Sequence, residues 1–121
     1  MNTSVYTDKQ TFLADNAALG TALPYTDNLS PLAAPLTVQG RTAPNRLVCQ
    51  AMEGCDGTAD GSPDVLTVRR YERLAAGGAG IIWFEATACV REGRANPRQL
   101  WLPRDNIDDF KRLVDRIREI G

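Results

Sequence analysis

Side chains that could carry chemistry lie close together in one glycine-rich stretch of the chain. Residues 53–61 place three carboxylates and one thiol, those of Glu53, Asp56, Asp60 and Cys55, on a backbone with three glycines. Carboxylates can ligate a cation or act as general acids and bases, and an exposed thiolate can act as a nucleophile. The spacing does not match the calcium-loop pattern D-x-[DN]-x-[DN]-G, so polar turn residues are the favoured interpretation and a cation site is the alternative.

The remaining inventory of reactive residues is small. The chain has no histidine, and its three cysteines, Cys49, Cys55 and Cys89, form no C-x-x-C motif. An odd cysteine count without that motif predicts a reducing cytoplasm and no disulfide framework or metal site. Cys49 is expected to be a small buried residue, whereas Cys55 is either an unreactive loop residue or an accessible thiol. We can name no catalytic residue in this chain.

Composition limits the classes of partner. The 121 residues are 43% hydrophobic and 24% charged with a formal net charge of -1, which is typical of one soluble globular domain. No global field favours nucleic acid or an anionic membrane, and no apolar run reaches the roughly 20 residues that span a bilayer. The arginine clusters, at positions 69–70 and 91–98, are interpreted as solvated faces because acidic residues lie nearby.

Local patterns predict two elements in the first third of the chain. Residues 1–30 are expected to form an N-terminal arm with one short helix, because Thr7 and Gln10 have the spacing of a capping box. Residues 36–38 and 41–42, separated by Gln39 and Gly40, predict a small hairpin.

The rest of the chain predicts two alternating strands and helices. Residues 46–52 and 79–88 are apolar runs typical of strands that are buried on both faces. The first is followed by a helix with Ser62 as the N-cap and Pro63 at its first position. Its expected apolar face contains Val65, Val68, Tyr71 and Ala75. A second helix lies within 104–120, where apolar residues repeat at helical spacing.

Alternating strands and helices indicate parallel βα units. Residues 77–80, Gly-Gly-Ala-Gly, join a helix to a strand, so a helix C-cap is favoured over a phosphate-binding loop, which runs from strand to helix. Glu85 at the end of the second strand needs a hydrogen-bond or ionic partner, because a lone buried carboxylate is costly. Two strands buried on both faces also need neighbours that this sequence does not contain. Trp83 and Phe84 are expected to pack in the wall of the sheet.

Four stretches in this order resemble the old yellow enzyme family of NADH:flavin oxidoreductases. Residues 29–40 are similar to the opening hairpin of the family, and residues 45–52 to its first strand, N-R-[IV]-V-x-[AS]-P-M. Residues 71–87 resemble its first helix and second strand, and Leu100-Trp101 its lead-in to the second helix. The resemblance implies an α/β fold that is an incomplete (β/α)8 TIM barrel. Residues 1–30 would be the arm, and residues 31–121 the N-terminal part of an FMN-binding barrel with the hairpin and the first two βα units.

The resemblance also implies a cofactor site at the carboxyl ends of the strands. Carried over by position, the residues next to the FMN are Gln50, Ala51, Met52, Glu53 and Ala86, and Cys55 lies near a substrate-facing position. Two of these positions depart from the family pattern. Ala51 replaces the usual proline, and Glu53 replaces the usual threonine or cysteine. An ionised carboxylate at position 53 would repel the anionic reduced flavin, whereas a protonated one could donate a hydrogen bond instead, and an altered redox potential is expected.

The implied activity is hydride transfer from NAD(P)H through FMN to an unsaturated or otherwise reducible acceptor. The family's substrate-binding, proton-donating and phosphate-binding residues would lie beyond residue 121, so the chain is expected to stop in mid-barrel and to be an enzyme only by descent. The alternative is a truncated or split, non-catalytic polypeptide that associates with itself or with a complementary half through exposed strand edges. A small α/β module with an unrelated binding role also remains open.

Overall fold

The computed structural model describes residues 6–121, and residues 1–5 of the predicted arm lie outside them. The first helix, α1 (Lys9–Ala18), is present as predicted, but the predicted N-cap residue is wrong. Asp8, not Thr7, caps the helix, and its side chain accepts a hydrogen bond from the Thr11 amide at 2.8 Å. A carboxylate is a strong acceptor next to a helix N-terminus, which explains the choice. A short helix, α2 (Ser30–Ala33), follows.

The predicted hairpin is confirmed. Strands β1 (Leu36–Val38) and β2 (Arg41–Ala43) pair antiparallel, with Val38 opposite Arg41. Gln39 and Gly40 form the two-residue turn, and both have a positive φ, 49° and 76°. Positive φ at both central positions matches the strand twist of a hairpin, and glycine adopts it at no steric cost.

The parallel strand pair is also present, although it is shorter and less buried than predicted. Strands β3 (Val48–Cys49) and β4 (Ile81–Ile82) pair in parallel, with Val48 opposite Ile81. The expectation of strands buried on both faces is wrong: Val48 is 42% exposed, and Ile81 and Ile82 are only half-buried. The physical reason is that, within residues 6–121, this sheet has only two strands, so few side chains from neighbouring strands pack over its faces.

Helix α3 (Val65–Ala76) begins two residues later than predicted. Asp64, not Ser62, is the N-cap, and it forms a capping box with Thr67. The expected apolar face is wrong at Val65, which is 74% exposed, and the buried residues of the helix are Thr67, Tyr71 and Ala75. At about 100° per residue, Val65 lies roughly 120° around the helix from Tyr71, which places it outside the buried face.

Helix α4 (Ile107–Ile120) confirms the last predicted helix, and a 3-10 turn (Arg104–Asn106) precedes it. It packs against α3 through buried Leu113, and Arg116 Nε donates to Glu72 Oε1 at 2.8 Å. The ring of Phe84 stacks on that of Tyr71, with centroids 4.5 Å apart, so its predicted packing role is confirmed. The same prediction is wrong for Trp83, which is 66% exposed on the strand pair.

A long connection from β4 to α4 covers one end of the strand pair. It contains a 3-10 turn (Arg91–Gly93) and a bridge between Ala88 and Trp101, and its Leu100 is fully buried. Among the helices of residues 6–121, none combines the length and apolar character needed to cross a bilayer.

Candidate functional site

The carboxyl ends of β3 and β4 lie side by side because the two strands run parallel. Gln50, Ala51, Met52 and Glu53 follow β3, and Ala86 follows β4. All five are exposed, and Met52 is 76% exposed. The fold therefore places the residues that sequence reasoning had selected as flavin neighbours at one edge of the sheet.

Gln99 connects the two strand ends. Its Nε2 lies 3.4 Å from the carbonyl oxygen of Ala86 and 3.5 Å from Glu53 Oε1, and its own Oε1 accepts from the Ala95 amide. The side chain is buried, with 6% of the residue exposed, so this amide is a structural link rather than a solvated group. Sequence reasoning missed Gln99, because a single glutamine in a long loop carries no periodic signal.

Three of the selected residues share a groove of about 190 Å³. Gln50, Met52 and Glu53 form one part of it, and Arg70 and Tyr71 from α3 form another. Ala51 and Ala86 are not among its lining residues. The groove therefore brings a carboxylate and a guanidinium to the carboxyl end of the strand pair.

Arg70 is paired rather than solvated, so the interpretation of positions 69–70 as a solvated face is wrong for this residue. Its Nη1 donates to Asp56 Oδ2 at 2.9 Å, and its Nη2 contacts Glu85 Oε1. Burial by itself lowers the pKa of Arg70, but the charges of Glu85 and Asp56 raise it, and the net direction is upward. Arg70 therefore remains a cation in the folded protein.

The predicted need of Glu85 for a partner is confirmed. Its side chain is 1% exposed, and besides Arg70 it accepts a hydrogen bond from the Gly54 amide at 3.2 Å. Its backbone amide donates to the Tyr71 hydroxyl at 2.8 Å. A buried carboxylate is stable only when it is paired and hydrogen-bonded, and these contacts supply both.

Tyr71 should make stability depend on alkaline pH. Burial, together with the nearby charge of Glu85, raises the pKa of Tyr71 from 10.0 to about 12. A raised pKa stabilises the fold fully below the pKa of the unfolded chain, and this contribution is lost as pH rises from 10.0 towards about 12. At about 1.4 kcal/mol per pH unit, we expect a loss on the order of 2 kcal/mol.

Urea unfolding of the wild type and of Tyr71→Phe measures this effect. The pH should run from about 9 to about 12, roughly the window set by the reference tyrosine pKa. Phenylalanine keeps the ring but does not ionise. Lysine titration is common to both proteins, so it cancels in the difference between their free energies of unfolding. Parallel pH profiles of the two proteins would contradict the assignment.

The contacts of residues 53–61 favour the interpretation of their carboxylates as polar turn residues over a cation site. Asp56 binds Arg70 and accepts from Thr67 Oγ1 at 2.7 Å, and Asp60 accepts from the Thr58 hydroxyl. The Thr58 hydrogen bond lowers the pKa of Asp60. No group of three or more candidate metal ligands occurs among residues 6–121.

Cys55, predicted near the substrate position, is exposed beside the strand ends and has a positive φ of 48°. Asn96 Nδ2 lies 3.1 Å from its Sγ, so the long β4–α4 connection reaches this loop. Cys49 is half-buried in β3. The reactivity of Cys55 stays a prediction.

At positions 91–98, Arg91 and Arg98 are exposed as predicted, whereas Arg94 is half-buried, and two of the three form hydrogen bonds with the loop after β3. Arg98 donates to the carbonyl oxygens of Gly57 and Asp56, and Arg94 donates to that of Ala59. These bonds attach the β4–α4 connection to the loop after β3. Residues 77–80 end α3, since the Gly77 amide bonds to the Arg73 carbonyl and Gly78 has a φ of 77°, which confirms the predicted C-cap.

The two strand–helix units, with their parallel strands side by side, are an arrangement typical of α/β proteins. The chain is 34% identical over 93 residues to an NADPH dehydrogenase of Geobacillus sp. (strain WCH70), which covers 74% of this chain and 27% of that protein. The chain thus spans about a quarter of the length of the curated relatives that it matches. No protein-family model matches the chain.

Solved structures share the fold. A 2-naphthoyl-CoA reductase superposes with a TM-score of 0.70 at 20% identity, over 76% of this chain and 14% of that one. An old yellow enzyme from Pichia sp. AKU4542 gives 0.67 at 19% identity, over 75% and 24% of the two chains. Over about three quarters of its length, the chain is therefore similar to old yellow enzyme-type reductases, as its sequence motifs predicted.

Proposed function

We propose that residues 31–121 form the first two βα units of an FMN-binding (β/α)8 barrel, preceded by an arm at residues 1–30. The observation that carries this proposal is the edge where β3 and β4 end side by side, with Gln99 joining Glu53 to Ala86. Active sites of such barrels lie at the carboxyl ends of the strands. The similarity to NADPH dehydrogenases supports an oxidoreductase.

The residues at this edge fit a flat, polar-edged cofactor. Within residues 6–121, the amides of Ala51, Met52 and Glu53 donate no hydrogen bond to the protein, although backbone donors normally have a partner. All three residues are exposed. The flexible Met52 side chain suits contact with a planar ring. We therefore assign Gln50, Ala51, Met52, Glu53 and Ala86 to FMN contact.

FMN, when bound, supplies hydride transfer from NAD(P)H to an unsaturated or otherwise reducible acceptor. The residues of this chain would bind and orient it: the free amides would donate hydrogen bonds to its polar edge, and Met52 and Ala86 would cover its face. Cys55, beside these residues, would face the acceptor. No described side chain is assigned a proton-transfer step. The three free cysteines support a reducing compartment such as the cytoplasm.

Size-exclusion chromatography after FMN loading tests the proposal, with protein and flavin absorbance followed together. We expect flavin to elute with a discrete protein species. A double variant with Met52→Asp and Ala86→Asp should lose the flavin, whereas Ile107→Asp, at an exposed site on α4, should retain it. Flavin-free elution of the wild type would contradict FMN binding by this chain.

A second candidate is the non-catalytic, self-associating polypeptide. Exposed apolar side chains on the strand pair favour it: Leu47 is 47%, Val48 42% and Trp83 66% exposed. A patch of this kind next to unpaired strand edges promotes association. A flavin-free oligomer in the same experiment, dispersed by Val48→Lys, would support this candidate against the first.

The carboxylate of Glu53 should lower the redox potential of bound FMN. An ionised group close to the cofactor repels the negative charge of the reduced flavin, and a pair of charges at 4 Å interacts by about 1–4 kcal/mol. Glu53→Thr, which restores the residue that is usual in the family, should therefore raise the potential by tens of millivolts, at about 30 mV per 1.4 kcal/mol.

Spectroelectrochemical titration of the FMN-loaded protein measures this potential. Glu119→Gln is the matched control, since it removes an exposed carboxylate in the last turn of α4, which lies beside the residues that precede β4 rather than those that follow it. An unchanged potential in Glu53→Thr would rule out the charge effect.

A further inference from the structure

Arg70 joins three separate segments of the chain behind the strand ends. It lies on α3, whereas Asp56 lies in the loop after β3 and Glu85 follows β4. Its two terminal nitrogens contact both carboxylates, with Nη1 2.9 Å from Asp56 Oδ2 and Nη2 in contact with both Asp56 Oδ1 and Glu85 Oε1. One guanidinium therefore ties the end of each strand to the helix between them.

Gly54 lies directly against this cluster. Its amide donates to Glu85 Oε2 at 3.2 Å, so one carboxylate binds both Arg70 and the backbone of the loop. A Cβ at position 54 would lie 1.5 Å from Arg70 Nη1, which means that the guanidinium occupies the space a side chain would need. Gly54 is held by Glu85 through a hydrogen bond and by Arg70 through packing.

The geometry requires arginine in particular. The planar guanidinium presents several donors in a fixed fork, so it can bind Asp56 with two nitrogens and Glu85 with one of them. A lysine ammonium would restore the positive charge, but its three donors all radiate from one nitrogen atom. It cannot reproduce the paired contacts to Asp56 while also holding Glu85 in place.

From this geometry we infer that Arg70 is a positioning residue: it fixes Gly54, and through it the backbone of the adjoining Glu53, at the edge where FMN is proposed to bind. The expected effect on FMN binding rests on the proposed function, but the placement of Gly54 can be measured without flavin. Arg70 lies on α3 and is not among the residues assigned to flavin contact.

Amide hydrogen exchange of the flavin-free protein, followed by NMR, tests the placement. In Arg70→Met we expect exchange at Gly54 to rise about tenfold or more, because Glu85 loses the partner that orients it. Amides in the middle of α3 should keep their protection. Arg69→Met is the matched control, since Arg69 is the exposed neighbour on the same helix and should leave Gly54 unchanged.

Arg70→Lys separates positioning from charge balance. Lysine should restore the melting temperature close to that of the wild type, while Gly54 still exchanges fast and the Kd for FMN is about tenfold weaker. A purely structural role would instead give full recovery of all three properties. If Arg70→Met does not fold, Arg70→Lys alone decides the question, because it retains the charge.

Unchanged exchange at Gly54 in Arg70→Met, or full recovery of its protection in Arg70→Lys, would overturn the inference. If Gly54 responds as expected but the wild type binds no FMN, the placement by Arg70 stands and the proposed function fails. If the wild type binds FMN and Gly54 does not respond, the inference alone fails.

Discussion

Gly61→Ala is expected to lower the free energy of unfolding by about 2–5 kcal/mol, from left-handed backbone strain together with overpacking. Gly61 has a φ of 87°, and an added Cβ would lie 2.8 Å from both the backbone nitrogen and the carbonyl oxygen of Trp101. Neither atom can move without breaking the bond from the Trp101 amide to the Gly61 carbonyl. The substitution should therefore separate the loop after β3 from the β4–α4 connection.

Gly78→Ala is the matched control for this experiment. Gly78 has a similar φ of 77°, but an added Cβ would meet no atom within 4 Å. It should cost only the backbone strain, about 1–2 kcal/mol. Equal midpoints for the two variants in urea unfolding would show that the contact with Trp101 contributes nothing.

Leu100→Ala should destabilise the protein by about 2–5 kcal/mol, the usual range for a fully buried leucine. Leu100 is 0% exposed, and its carbonyl accepts from the Ala88 amide at 2.9 Å. Its Cδ2 lies 2.9 Å from the position that a Cβ at Gly57 would take, so it fills the space beside the loop after β3. A cavity here would loosen the connection that carries Gln99.

Leu102→Ala provides the control two residues further along. Leu102 is 44% exposed, so its truncation should cost well under about 1 kcal/mol, as is usual at surface sites. Thermal or urea unfolding of both variants gives the comparison. A cost for Leu100→Ala no greater than that for Leu102→Ala would contradict its role as the anchor of this connection.

The edge that is proposed to face the flavin could be anticipated largely from the sequence. The motif at residues 45–52 and the stretch at 71–87 indicated two strand ends with Glu53 and Ala86 near them, and the fold places both at one edge. What could not be anticipated was the link between them. Gln99 lies 46 residues from Glu53 and 13 from Ala86. No spacing rule relates residues that meet only through a long loop.

The charged cluster shows the same limit. The need of Glu85 for a partner followed from the cost of burying a carboxylate, but the sequence did not identify Arg70 as that partner. Because Arg70 adjoins Arg69, the sequence predicted that both arginines would be solvated. At about 100° per residue, adjacent positions on a helix point in different directions, and only the packing of α3 against the strands decided which arginine turned inward.

By itself, the sequence determined the order of strands and helices apart from the short helix α2, the hairpin turn at Gln39-Gly40 and the resemblance to a reductase family. These depend on local preferences and on short motifs, which act over a few residues. Only the tertiary structure decided the burial of the strands, the cap at Asp64 and the contacts of Arg70 and Gln99. Each of these depends on groups distant in the chain competing for the same space and the same hydrogen bonds.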